Sequence, residues 1–226
     1  GLQAPRNDRE RGGHPREGGA PTALLAGREG RVTIPRTGVL KPDGSRYGHR
    51  DLAVASKRLL EQVMRSGVAP RFEDLVGWEW NGANSNRMAR LIGAAKFKKG
   101  FYEGPPLCEG GPEPFVQGYN IDVRSGSLDE PWQAKPSDED PRRWAFYRVH
   151  APVPGSRLTH YENALVLDYG LAAKWSIAKP LRDYLVQVYE DDRDLLLGKA
   201  HYSLAGLLVP VSYFALERAN PHDFRG

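Results

Sequence analysis

Cysteine is nearly absent: Cys108 is the single one among 226 residues, so no disulfide can form within the chain. It sits in a stretch rich in proline and glycine and reads as an incidental thiol rather than a nucleophile. Long apolar runs are missing as well. The longest, residues 204–216, holds Pro210 and Ser212 and falls short of the roughly 20 residues that a membrane helix requires. No hydrophobic leader opens the sequence, and a cytoplasmic location is the expectation. Excess charge is also missing from most of the chain. The formal charge is +4, but residues 1–50 carry ten Lys/Arg and five Asp/Glu, which leaves 22 Lys/Arg against 23 Asp/Glu in the rest. A near-neutral body argues against nucleic acid as a partner, even though Lys96, Lys98 and Lys99 alternate with Phe97, Phe101 and Tyr102 as in single-strand platforms. Gly-rich phosphate loops, Ser-His-Asp signatures and Cys/His metal spacings do not occur. Asp191, Asp192 and Asp194 lack the glycine and distal glutamate of a calcium loop and read as a polar turn. No metal or cofactor is therefore expected.

What is present is alternation. Residues 164–169, 181–189, 195–204 and 207–218 read as successive strands, the last two joined through Ala205-Gly206 at the spacing of a tight hairpin. Upstream, 115–124 and 143–153 alternate in the same way. Trp78 and Trp80 lie one residue apart, on the same side of a strand bounded by Gly77 and Gly82. A short helix from Ser85 and a return strand through Phe97 and Phe101 follow. Before them, Leu52, Ala55, Leu59 and Val63 recur at helical spacing behind Asp51 as an N-cap, predicting one amphipathic helix over 51–66. Residues 1–30 are Gly, Pro, Arg and Glu with too few apolar groups to offset ordering, and read as a flexible arm. A short strand at 31–35 and a turn at Pro42-Asp43-Gly44 complete the pattern. The fold class is mainly β: a barrel or strongly curved antiparallel sheet in one domain over 31–226, with two or three packing helices.

This order of features resembles the bacterial proteins that pair a GXWXG domain with a DUF4334 domain and, more loosely, the lipocalin-like (calycin) barrels. The carriers are Gly77, Trp80 and Gly82, then Gly93, Lys96 and Phe97, then Asp168, Asp191 to Lys199, and Phe214 to Arg218. The segment Gly77-Trp78-Glu79-Trp80-Asn81-Gly82 is one residue longer than Gly-x-Trp-x-Gly, and a long insertion separates the two halves. The resemblance implies a barrel able to enclose an apolar ligand, and no reaction.

Within such a barrel, alternation decides what lines the interior. In 195–204, Leu196, Gly198, Ala200, Tyr202 and Leu204 form the smoother apolar face, which sends Lys199 and His201 outward to water. The sharper reading gathers Arg148, His150, Lys199 and His201 at the barrel mouth, to take the carboxylate or phosphate of a ligand whose chain lies among Trp78, Trp80, Phe97 and Tyr213. The expected partner is an apolar or amphipathic small molecule, a fatty acid or related lipid, bound without catalysis. Two alternatives use His150 or His201: a haem-binding barrel, or a barrel isomerase or cyclase with Asp168 or Glu162 as the partner carboxylate. A third is a protein-interaction module acting through the N-terminal arm.

Overall fold

The alternating stretches become eight antiparallel strands that close on themselves. The computed structural model describes residues 38–85, 95–104, 115–156, 159–172 and 176–226. Its strands are β1 (Trp78–Asn84), β2 (Lys96–Gly104), β3 (Phe115–Asp122), β4 (Arg143–His150), β5 (Leu165–Asp168), β6 (Leu181–Tyr189), β7 (Asp192–Leu204) and β8 (Leu207–Pro221). Each pairs with its neighbours in chain order, and β8 returns to β1 through Leu216 opposite Gly82 and Phe214 opposite Asn84. Closure leaves no sheet edge to be protected. These strands belong to one compact unit, Ile34–Gly226. The expected helix after Ser85, the expected strand at 31–35 and the N-terminal arm lie outside the described residues.

At the β7–β8 connection both Ala205 and Gly206 adopt positive φ, 50° and 79°, the left-handed pair whose twist suits a two-residue hairpin. The turn at 41–44 also forms, with the Gly44 amide donating to the Lys41 carbonyl at 2.9 Å.

The single helix expected over 51–66 is in fact two, α1 (His49–Val54) and α2 (Lys57–Ser66). Ser56 is the reason. Its backbone is extended and its hydroxyl accepts from the Leu59 amide, so it starts a new helix instead of continuing the old one. Asp51 is not the cap but lies one turn inside α1, accepting from the Gly48 amide at 2.8 Å. A third short helix, α3 (Phe72–Leu75), leads into β1.

Apolar side chains form three buried groups. The interior group includes Trp80, Phe101, Tyr147, Leu167, Leu185, Leu196 and Leu216, filling the narrow waist that eight strands enclose. Outside the wall, Leu60, Val63 and Met64 of α2 pack on Val186, Leu197 and Tyr213. On another part of the wall, Tyr102, Tyr119 and Phe146 are covered by Phe224 near the C-terminus. Among the described residues, no helix is long and apolar enough to cross a membrane, which says nothing of strands.

Candidate functional site

A cavity opens at each end of the barrel beyond the filled waist. The larger, about 700 Å³, lies beside α3 and is lined by Phe72, Val76, Phe115, Val149 and His150, with Glu73 and Glu103 as its carboxylates. The smaller, about 380 Å³, lies at the opposite end. Its wall includes Phe97, Leu181, Ala200, Val211 and Phe214; its polar lining includes Lys99, Asn120, Tyr169 and Asp183 from the barrel interior, together with Lys135 and Ser212. Apolar walls around a few convergent polar groups are the usual form of a small-molecule site.

The two phenylalanines of this wall are placed by glycine. Gly82 on β1 lies directly opposite Phe97 on β2, and Gly198 on β7 opposite Phe214 on β8. A Cβ at either glycine would collide with the opposing ring. Each ring therefore lies over bare backbone, and the pair meets edge to face with centroids 5.7 Å apart.

Lys99 reaches the interior because β2 alternates: Phe97, Lys99 and Phe101 face in, while Lys98 and Gly100 face out. Its ammonium donates to Asn120 Oδ1 at 2.9 Å and to the Tyr169 hydroxyl at 2.6 Å, and lies 3.3 Å from Asp183 Oδ2. Asn120 stands opposite Lys99 on the neighbouring strand, whereas Asp183 comes from β6. Tyr169 is delivered by the 3-10 turn after β5, which Asp168 caps by accepting from the Gly170 and Leu171 amides. The Tyr169 hydroxyl in turn donates to Asp183 Oδ2 at 3.0 Å, and Asn120 Nδ2 donates to the Ala145 carbonyl. Asp183 Oδ1 is buried and has no hydrogen-bond partner among the described residues.

Charge buried this deeply is costly. The Lys99 and Asp183 side chains are 3% and 4% exposed. Attraction across 3.3 Å at an effective dielectric near 20 is roughly 5 kcal/mol, against several kcal/mol of desolvation for each ion. The hydrogen bonds from Lys99 to Asn120 and Tyr169 are needed to close that gap, as are the surrounding rings, with Tyr147 and Phe214 centroids 4.7 and 5.2 Å from the ammonium. Burial still lowers the Lys99 pKa, with Asp183 opposing the shift. Burial and the Asp183 charge raise Tyr169 well above the usual phenol value, so it remains a neutral donor.

The residues singled out from sequence separate. Trp80 and Phe97 face the interior. Trp78 packs beside them under the Arg218 guanidinium, 4.8 Å from its ring. Arg148, His150, Lys199 and His201 do not meet at the mouth. They occupy two rows across the outer wall, Arg148–Asp168–Arg182–His201 and His150–Val166–Tyr184–Lys199. Arg148 stacks on Phe115 at 4.7 Å. His150 sits at the rim of the larger cavity, 3.9 Å from Asp168, too far for a hydrogen bond. Asp168 already holds Arg182 at 2.8 Å, which assigns it to structure rather than to a histidine pair. Glu162 is exposed.

Lys199 and His201 do face out, but against further protein layers that leave Lys199 little contact with water and His201 almost none. Helix α2 covers Lys199, which donates to Glu61 at 2.9 Å and to Tyr161 at 2.7 Å, and Tyr213 donates to the same Glu61 oxygen at 2.8 Å. His201 is 1% exposed, between the rings of His160 and Tyr184, each with its centroid 5.3 Å away. The histidines named for haem ligation or acid–base work therefore lie off the smaller cavity.

Lys96 and Lys98, whose alternation with aromatics is that of a single-strand platform, are buried beneath the segment between β3 and β4. Lys96 donates to the carbonyls of Ser127, Glu130 and Pro131, and Lys98 to Asp138. Asp191 and Asp194 bind Arg46 and Arg218. No group of three metal-ligating side chains occurs among the described residues.

Sequence reasoning missed the Lys99–Asp183 pair. Its signal was a charge of opposite sign on the apolar face of two strands: Lys99 between Phe97 and Phe101, and Asp183 between Leu181 and Leu185.

No family model matches this chain, and neither a curated protein nor a solved structure matches it.

Proposed function

We propose that this barrel is a non-catalytic binding protein that takes an apolar or amphipathic small molecule of the lipid class into its smaller cavity. The observation that carries the reading is the cavity of about 380 Å³ with Phe97 and Phe214 in its wall and a buried, hydrogen-bonded lysine–aspartate pair as its polar end. A pair at the foot of an open pocket costs desolvation that a solid apolar core would avoid, and that cost is understandable where it orients a guest. The segments that resemble GXWXG/DUF4334 proteins support the reading by position. Trp80 and Gly82 lie on β1, Lys96 and Phe97 on β2, and Phe214 to Arg218 on β8, the strands that close the barrel around this cavity.

The test is titration of an environment-sensitive anilinonaphthalene probe, with native mass spectrometry of the freshly purified protein. Saturable binding is expected, and Ser212→Phe, which fills the mouth from β8, abolishes it. Ala151→Phe at the opposite cavity leaves it unchanged. Binding that survives Ser212→Phe, or no binding to the parent protein, sinks the proposal.

A further inference from the structure

The hydrogen bonds at the foot of this cavity select among ligands, given the binding reading above. A lysine ammonium has three protons; Lys99 donates to Asn120 Oδ1 and the Tyr169 hydroxyl, and its remaining side is taken by the ion pair with Asp183 Oδ2 at 3.3 Å. Asn120 spends one amide proton on the Ala145 carbonyl and the other on the Tyr169 hydroxyl at 3.5 Å, and the Tyr169 proton goes to Asp183 Oδ2. The cluster's donors are thus engaged within the protein. Its unsatisfied position is an acceptor, Asp183 Oδ1, buried in a residue that lines the cavity and is 3% exposed, and without a partner among the described residues. A buried carboxylate oxygen left in that state is costly, and a bound donor removes the cost.

We propose that the ligand is a neutral, hydroxyl-bearing apolar molecule whose O–H donates to Asp183 Oδ1 while its hydrocarbon body lies against Phe97, Leu181 and Phe214. An anionic head group placed beside Lys99 has no free proton to receive from it and would bring a second negative charge against Asp183, which leaves such a group only the exposed Lys135 of the same lining, away from the buried pair. A cationic head group would meet the Lys99 ammonium, 3.3 Å from the Asp183 carboxylate. The ligand is therefore an alcohol rather than the fatty acid expected for a cationic cluster at the barrel mouth.

Three probes with the same eight-carbon chain separate the cases: 1-octanol, its methyl ether and octanoate, each titrated by calorimetry and by displacement of the naphthalene probe. Octanol is expected to bind at least about tenfold more tightly than either of the others, the ratio of a hydrogen bond to a charged acceptor gained or lost. In Asp183→Asn the open position becomes an N–H donor or a neutral carbonyl, and the advantage of octanol over octanoate collapses. Octanoate equal to or ahead of octanol in the parent protein overturns the inference and leaves the cavity reading intact, as does an octanol preference that persists in Asp183→Asn. Failure of all three to bind removes both.

Discussion

Two clusters in this barrel are made of the same parts, a lysine, a carboxylate and tyrosines, on opposite sides of one wall. Outside, Glu61 of α2 is saturated: one oxygen accepts from Lys199, Tyr161 and Tyr213, and the other meets Arg65 at 2.8 Å. Inside, Asp183 accepts from Tyr169 and pairs with Lys99 through one oxygen, and its other oxygen is unpartnered among the described residues. The outer cluster fastens a helix to a sheet and has nothing left to offer. The inner one keeps an unsatisfied acceptor, in a residue that lines a cavity. Residue types alone do not distinguish a fastening from a site; the count of satisfied atoms does.

The sharpest way to break the comparison is Lys99→Met. It leaves the Asp183 carboxylate buried without its cation and is expected to cost about 3–5 kcal/mol, read from the denaturant midpoint. Adding Asp183→Leu should return most of that loss, and a double variant as unstable as the single one would show that the two charges are not a coupled pair. Glu61→Ala is milder, about 2 kcal/mol, because Glu61 and Lys199 keep 27% and 13% of their side chains in contact with water. Octanol binding should be unchanged in it, and a loss there would show that the two clusters communicate.

Acid should separate two groups on the outer side of the wall, His201 and Glu61, by the pH at which each acts. Burial, with Lys199 and His160 adding to it, holds the outward-facing His201 pKa down to about 4. The unfolded chain protonates this residue near pH 6.5, so between about 6.5 and 4 the unfolded state binds the extra proton and stability falls as pH falls. His201→Phe should flatten that part of the slope; His49 and His222 act in the same direction and His150 in the opposite one, so the difference between the two curves is the readout. For Glu61, burial alone would raise the pKa, but hydrogen bonds from Lys199, Tyr161 and Tyr213 bring it down to about 2. Its contribution is present above about 4.5 and disappears between there and about 2, a lower window than that of His201. If His201→Phe leaves the slope between pH 6.5 and 4 as it was, this account is wrong. The smallest effect is expected for Ser56→Ala, about 1 kcal/mol, which removes the cap of the helix that carries Glu61 and should leave the interior pair untouched.

Much of the fold was legible, because strands announce themselves through period two. The residues of β6, β7 and β8, the hairpin at Ala205-Gly206 and the shared face of Trp78 and Trp80 all follow from alternation and turn chemistry. The break at Ser56 was missed since an apolar stripe continues across it, while capping decides where a helix starts. The site was less legible. Alternation did place Lys199 and His201 on the outer face, yet period two cannot say whether that face meets water or another layer, and here α2 and the His160 and Tyr184 rings cover it.

By itself, then, the sequence determined which residues share a face on each strand, and that the strands are too many and too short-linked to remain a flat open sheet. Which residues from distant strands meet in the interior was decided by closure of β8 on β1. Closing the ring brings β2 and β6 face to face, so that Lys99 and Asp183, 84 positions apart by their numbering, lie within 3.3 Å. Each charge is tolerable in the interior only because the other arrives, and no local pattern in either strand carries that information.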